Sequence, residues 1–140
     1  MFNYKDIYPV VNADNNFFWE GCRQRELRFQ ICSDCKLIRW PPSFLCPNCL
    51  STRYDIYLSN GEGRIFSYIV YHKAYHKSLV NETPYVTAII KLEEGVKFLS
   101  RILIKNFDNI ECEKTVELVW DNISEVYPIP LFQIIGEQQV

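Results

Sequence analysis

The pattern with the most chemistry in this sequence is Cys32-x2-Cys35-x10-Cys46-x2-Cys49. Two residues between cysteines let one tight knuckle aim two thiolates at a single point. Two such knuckles complete a tetrahedral four-sulfur site. Soft thiolates suit zinc or iron, and a closed set of four leaves no position for a catalytic water. Pro47 pre-shapes the second turn. The spacing therefore predicts a zinc ribbon held by Cys32, Cys35, Cys46 and Cys49. Rubredoxin-like iron uses the same ligands, so zinc and iron both stay open. The competing reading is a pair of thioredoxin-like or disulfide CxxC motifs. Knuckles often carry Gly after the second Cys, where φ > 0 is easy. Here Lys36 and Leu50 stand in those places, which predicts strain without loss of a ligand.

Other reactive residue types are sparse. Cys22 and Cys112 stand alone and read as small buried hydrophobes. His72 and His76 are four apart in YHKAYHK. On a helix they would form a metal pair, but the strand-like residues before them make them strand-end or loop histidines. The same stretch interleaves Lys73 and Lys77 with Tyr71 and Tyr75, a combination suited to a phosphorylated or nucleotide-bearing ligand, or to a solvated loop. Gly61-Glu62-Gly63 is too short to cradle a phosphate and has no following GK[ST]. No paired carboxylates and no nucleophilic Ser elbow appear. This set fits a binder or scaffold better than a solitary enzyme.

The elements that must position these residues are mostly β. The chain has 140 residues, 48% hydrophobic and 15% aromatic, and Tyr and Phe favour strands. Residues 1–12 read as irregular. Asp14 offers an N-cap to a short helix over Asn15–Glu26, which Gly21 weakens by roughly 1 kcal/mol. Leu27–Ile31 alternates and runs into Cys32, and Arg53–Leu58 is a second alternating run. Asn60-Gly61-Glu62-Gly63 marks a boundary. Beyond it, Arg64–His72, Pro84–Leu92, Val96–Ile104, Thr115–Trp120 and Pro128–Ile135 read as strands, with Glu93-Glu94-Gly95 as a hairpin turn. Five short strands make a small closed barrel. The expected fold is mainly β: a helical segment over 1–26, a rubredoxin-like ribbon over 27–60 and a five-stranded OB-fold barrel over 61–140.

Net charge is −2 and the isoelectric point about 5.7, against the basic face a nonspecific nucleic-acid binder normally carries. No run is long enough to span a bilayer. Met1–Val11 lacks the basic and apolar regions of a secretory signal. A cytoplasmic, reducing setting follows as the default, in which paired CxxC motifs read as metal sites or redox motifs sooner than as disulfides.

Several stretches, in order, resemble a known family. They are Phe18-Trp19-Glu20-Gly21, Glu26-Leu27-Arg28-Phe29-Gln30, the four cysteines, Trp40-Pro41-Pro42, Cys46-Pro47-Asn48-Cys49, Gly61-Glu62-Gly63-Arg64-Ile65-Phe66-Ser67-Tyr68, Pro84-Tyr85-Val86, Leu92-Glu93-Glu94-Gly95 and Ile129-Pro130-Leu131-Phe132. The order resembles the DUF35 family of bacterial and archaeal proteins, a rubredoxin-like zinc ribbon followed by an acyl-CoA-associated OB-fold. The departures are Lys36 and Leu50 for knuckle glycines, Tyr54 near a common Trp, and Asn106–Lys114, which lacks the usual Ile-Gly turn.

The resemblance implies an accessory subunit beside a thiolase-superfamily enzyme. Such enzymes include thiolases, hydroxymethylglutaryl-CoA synthases, acyltransferases of phloroglucinol type and sterol-side-chain aldolases or hydratases. The expected cofactor is structural zinc, with acyl-CoA as a further ligand. CoA brings phosphates and an adenine ring, so its expected contacts are cations near strand ends and a stacking ring: Arg64, Lys73, Lys77 and Arg101, with Tyr75. The N-terminal aromatics Phe17, Phe18 and Trp19 are the expected partner contact, with self-association and packing on the chain's own ribbon as the competing roles. The rival function is a nucleic-acid-binding module, since ribbons and OB barrels both serve that purpose. The acidic isoelectric point argues against it.

Overall fold

The computed structural model describes residues 9–121 and 127–136. The start of the expected helical segment, residues 1–8, and residues 122–126 and 137–140 of the expected barrel region lie outside them.

One helix, α1 (Asn16–Arg23), precedes a three-stranded antiparallel sheet of β1 (Arg28–Cys32), β2 (Ile38–Arg39) and β3 (Tyr54–Leu58), in the order β2-β1-β3. A closed barrel follows, built from β4 (Glu62–Tyr71), β5 (Tyr85–Leu92), β6 (Lys97–Leu103), β7 (Thr115–Asp121) and β8 (Ile129–Ile134), in the order β4-β5-β6-β8-β7. All pairings are antiparallel except β6 with β8. This is the mainly β ribbon-plus-barrel architecture expected from the sequence. The two-residue strand β2 was not anticipated, because two residues show no period.

Asp14 is not the helix cap. Asn15 holds that position without a capping side chain. Instead Asn12 organises the entry, its side-chain oxygen accepting from the Asp14 and Asn15 amides at 2.9 and 3.0 Å. The helix also stops before Glu26. Arg25 adopts φ 56°, and the amides of Glu26 and Arg25 donate to Gly21 O and Cys22 O at 2.8 and 3.1 Å. These are the two bonds of a Schellman stop, with Arg where glycine is usual. Gly21 has a second role besides weakening the helix. A Cβ there would meet Glu26 O and Arg28 Cδ, each at 2.7 Å, so its missing side chain lets α1 settle on β1.

The Gly-rich break is not a free linker, because β4 already starts at Glu62. Ser59 Oγ donates to Glu94 at 2.6 Å and Asn60 to Glu93 at 3.0 Å. Gly61, at φ 74°, would place a Cβ 2.4 Å from Leu118 Cβ. The junction is thereby tied to the β5–β6 turn and to β7.

The barrel interior is filled by Ile65, Val86, Ala88, Ile90, Ile102, Val116, Phe132 and Ile134, all buried. The core continues outward through aromatics. Phe98 on β6 lies with its ring centroid 5.2 Å from Trp40, 5.9 Å from Phe29, 6.1 Å from Phe18 and 6.2 Å from Phe132. One side chain thus joins helix, ribbon and barrel.

Candidate metal centre and flanking surfaces

Each knuckle is closed by the same pair of backbone bonds. In the first, the Cys32 amide donates to Leu37 O at 2.9 Å and the Lys36 amide to Cys32 O at 3.0 Å; in the second, the Cys46 amide donates to Ser51 O and the Leu50 amide to Cys46 O, both at 2.9 Å. Lys36 and Leu50 adopt φ 66° and 63°, the left-handed conformation the missing glycines would have taken.

The four sulfurs converge. Cys32 Sγ lies 3.5 Å from Cys49 Sγ, and Cys35 Sγ lies 3.5 Å from Cys46 Sγ; all four fall within 4.8 Å of one another. Sulfurs about 2.3 Å from a tetrahedral zinc would sit about 3.8 Å apart. A disulfide needs about 2.05 Å, and all the cysteines are free. The donor set therefore fits a structural zinc, as expected from the spacing, and the disulfide reading fails.

Without metal, the thiols divide the charge. Backbone amides, foremost that of Cys35, lower Cys32 to about 6. Cys35 is also lowered, chiefly by the Asn48 side chain. Cys49, although the Ser51 amide favours its thiolate, is pushed up to about 12 by sharing a proton with Cys32 beside the other thiols.

A buried polar clamp that the sequence did not advertise supports the second knuckle. Gln30 donates to Ser43 O at 3.0 Å and accepts from its amide at 2.9 Å. Arg39 donates to Ser43 Oγ at 2.9 Å and to Ser43 O at 3.2 Å. Gln30 and Arg39 are both buried. Gln30 looked like the polar half of an alternating strand, and only its loop partner reveals its use.

The expected ligand residues fall into two groups. Lys73, Tyr75 and Arg101 join one aromatic cluster. Lys73 Nζ is 5.5 Å from the Tyr75 ring, Tyr75 abuts Tyr71, Tyr71 stacks on Tyr85 at 5.0 Å, and Arg101 lies 5.5 Å over Tyr85. Arg101 also binds Glu82 at 3.2 Å, with both side chains largely buried. Burial raises the Tyr85 phenol above its usual range. Lys77 opens a 3-10 turn next to this cluster. Arg64 lies far off, near the opposite end of β4.

The histidines behave as loop residues. His72 is exposed, and His76 Nδ1 accepts from the Ser78 amide at 3.1 Å. Cys22 is buried, which pushes its thiol up to about 12. Cys112 is exposed, contrary to expectation, because it sits in the turn ahead of β7 rather than on a strand face.

The N-terminal aromatics also separate. Phe18 is a core residue, 3% exposed, and meets the surface as part of the lining of an apolar groove. Phe17 packs on Tyr54. Trp19 lines an apolar groove of about 600 Å³ with Trp40, Pro42, Phe98, Leu99 and Pro130.

Comparison with known proteins agrees with this architecture. Residues 19–55 match the family described as ChsH2, rubredoxin-like zinc ribbon domain, and residues 57–121 match ChsH2, C-terminal OB-fold domain. A DUF35 domain-containing scaffold protein of Methanothermobacter thermautotrophicus is 32% identical over 109 residues, which cover 76% of this chain and 81% of that one. The chain belongs to the DUF35 family. A solved chain of the Ltp2-ChsH2(DUF35) aldolase is 35% identical, with a TM-score of 0.84, covering 91% of this DUF35 chain and 98% of the other. A probable enoyl-CoA hydratase alpha subunit of Thermomonospora curvata is 36% identical over 125 residues. The match covers 89% of this chain but only 39% of that longer relative. No helix among the described residues is long and apolar enough to cross a membrane.

Proposed function

We propose that this chain is a zinc-bearing accessory subunit of an acyl-CoA-processing enzyme of the thiolase superfamily, and that it does not catalyse by itself. The observation that carries this reading is the likeness, over nearly its whole length, to the DUF35 component of a two-component aldolase. The site chemistry is consistent with it. Four thiolates saturate the metal and leave no position for substrate, so the ribbon is a structural part. The partner sits over the groove edged by Trp19 and Trp40, where aromatic anchors and an apolar trough provide the kind of contact that dominates interfaces. The acyl-CoA contact runs through Lys73, Tyr75 and Lys77, with Arg101 bracing Tyr85 beside them. A reducing, cytoplasmic setting suits a cluster of free thiolates.

Co-purification of the tagged chain from its native host, with the bound protein identified by mass, tests the assembly. A thiolase-fold acyl-CoA enzyme in fixed ratio supports the reading. Recovery of the chain alone, or with nucleic acid, overturns it. Trp19→Ala is expected to weaken the association at least tenfold while zinc content and fold are kept.

A further inference from the structure

The register of the barrel brings three cations into one line. Arg64 on β4 pairs with Lys91 on β5, and Lys91 pairs with Lys97 on β6. The three side chains leave the same outward face of adjacent strands, across about 10 Å, and all three residues are exposed. Like charges set directly opposite each other in a sheet repel, and a carboxylate at the middle position would serve the fold better. Among the described residues, Arg64 has only Glu113 as an ion-pair partner, at 4.0 Å and between two exposed groups. Among the described residues, no carboxylate pairs with Lys91 or Lys97.

A second feature stands beside the line. The β4–β5 register shifts between Ile65 and Ser67, and the extra residue is Phe66. The bulge turns its ring outward, 45% exposed, with Lys97 Nζ 4.2 Å from the ring centroid. Bulges recur where a side chain must be re-aimed at a site. The next row on this face is Ser67, Ile89 and Leu99, and the row beyond it Ile69, Thr87 and Arg101, with Leu99 64% and Ile69 52% exposed. A cavity of about 540 Å³ opens against Arg64, Phe66 and Lys91, and its lining includes Glu62, Glu93 and Glu113. Those carboxylates repel an anion, so the seat for negative charge lies toward Lys91 and Lys97. Barrels of the OB type bind oligonucleotides and oligosaccharides on the face of their second and third strands, here β5 and β6.

We propose that this face binds a small phosphate-rich ligand, a diphosphate or phosphate ester carrying an aromatic or apolar group. Lys91, Lys97 and Arg64 take the phosphates. Once Lys97 turns to a phosphate, the Phe66 ring receives the ligand's ring, and Leu99 carries any apolar extension. The site needs no partner chain, so it stands or falls independently of the assembly proposed above.

The test is calorimetry on the full zinc-loaded chain at low salt with ADP, pyrophosphate, CoA and a single-stranded oligothymidylate. The expected result is saturable ADP binding that weakens at least tenfold in the double variant Lys91→Glu/Lys97→Glu. Phe66→Ala should weaken ADP but not pyrophosphate. Lys105→Glu, an exposed position past the far end of β6, should leave ADP affinity unchanged. Tighter binding of CoA than of ADP supports the site with Leu99 and Ile69 holding the pantetheine arm, and equal affinities support it as a seat for the nucleotide portion alone. If the Glu variants lose zinc or fold, Lys91→Gln/Lys97→Gln, read by amide shifts at Phe66 and Leu99, replaces them. Absence of saturation at millimolar ligand, or equal affinity in the Lys91/Lys97 variants, overturns the proposal. Tighter binding of the oligothymidylate through the same residues overturns it in favour of a nucleic-acid surface.

Discussion

Individual residues carry most of the ribbon's chemistry. The four converging thiolates fit a structural zinc, and a small ribbon held by such an ion takes much of its folding energy from metal binding. Cys32→Ser or Cys46→Ser is therefore expected to lose zinc and unfold residues 27–58 while the barrel persists. Metal analysis, about one zinc per chain in the parent and none in the variants, read together with circular dichroism, checks this. Leu50 holds φ 63° with its side chain exposed, a conformation that costs an ordinary residue roughly 1–2 kcal/mol. Leu50→Gly should raise stability by roughly 1 kcal/mol, seen as a higher melting temperature and slower zinc loss to a chelator. Cys22 tests pH linkage. Burial raises its folded pKa to about 12 from an ordinary value of 9. The folded state then holds the proton more tightly, so this contribution is complete below pH 9 and is lost as pH rises toward 12. Denaturant melts across that window should show a steeper alkaline decline in the parent than in Cys22→Ala.

Among the elements, α1 is the one whose behaviour departs most from its propensity. Eight residues are too few to be stable alone, and the helix is held by the placement of Phe18 between Trp40 and Phe98 and by the closeness of Gly21 to β1. Propensity alone says that Gly21→Ala should gain about 1 kcal/mol. The added Cβ would instead meet a backbone carbonyl at 2.7 Å, so the expected outcome is destabilisation by about 1–3 kcal/mol, measured by urea unfolding. The barrel strands are simpler. Alternation of apolar residues marked each of them to within about two residues, the usual precision of element ends, because one face of every strand is buried.

For the whole molecule, Phe98 decides whether ribbon and barrel act as one body. It is the barrel residue that meets Phe18, Phe29 and Trp40 together. Phe98→Ala is expected to cost about 3–5 kcal/mol and to split one cooperative unfolding transition into two, ribbon before barrel, in calorimetric scans. The same substitution would open the Trp19–Trp40 groove, so partner association should fall with it.

The sequence by itself determined the metal centre, the helix-ribbon-barrel order and the strand positions. A four-thiolate site is written in covalent spacing, since two residues between cysteines set the knuckle whatever surrounds it. Strands are written in a period of two. Only the tertiary structure decided which distant residues meet. Arg64 was grouped with Lys73, Tyr75, Lys77 and Arg101 because all looked like cations or rings near strand ends, yet the register sets it beside Lys91 and Lys97. Cys112 looked like a core residue until a turn placed it outside. Gln30 looked like the polar half of an alternating strand until it closed, together with Arg39, on Ser43. In each case the partner lies across a sheet or a loop, and which residues face one another depends on strand register and turn geometry summed over the whole fold, which no local pattern of residue types contains.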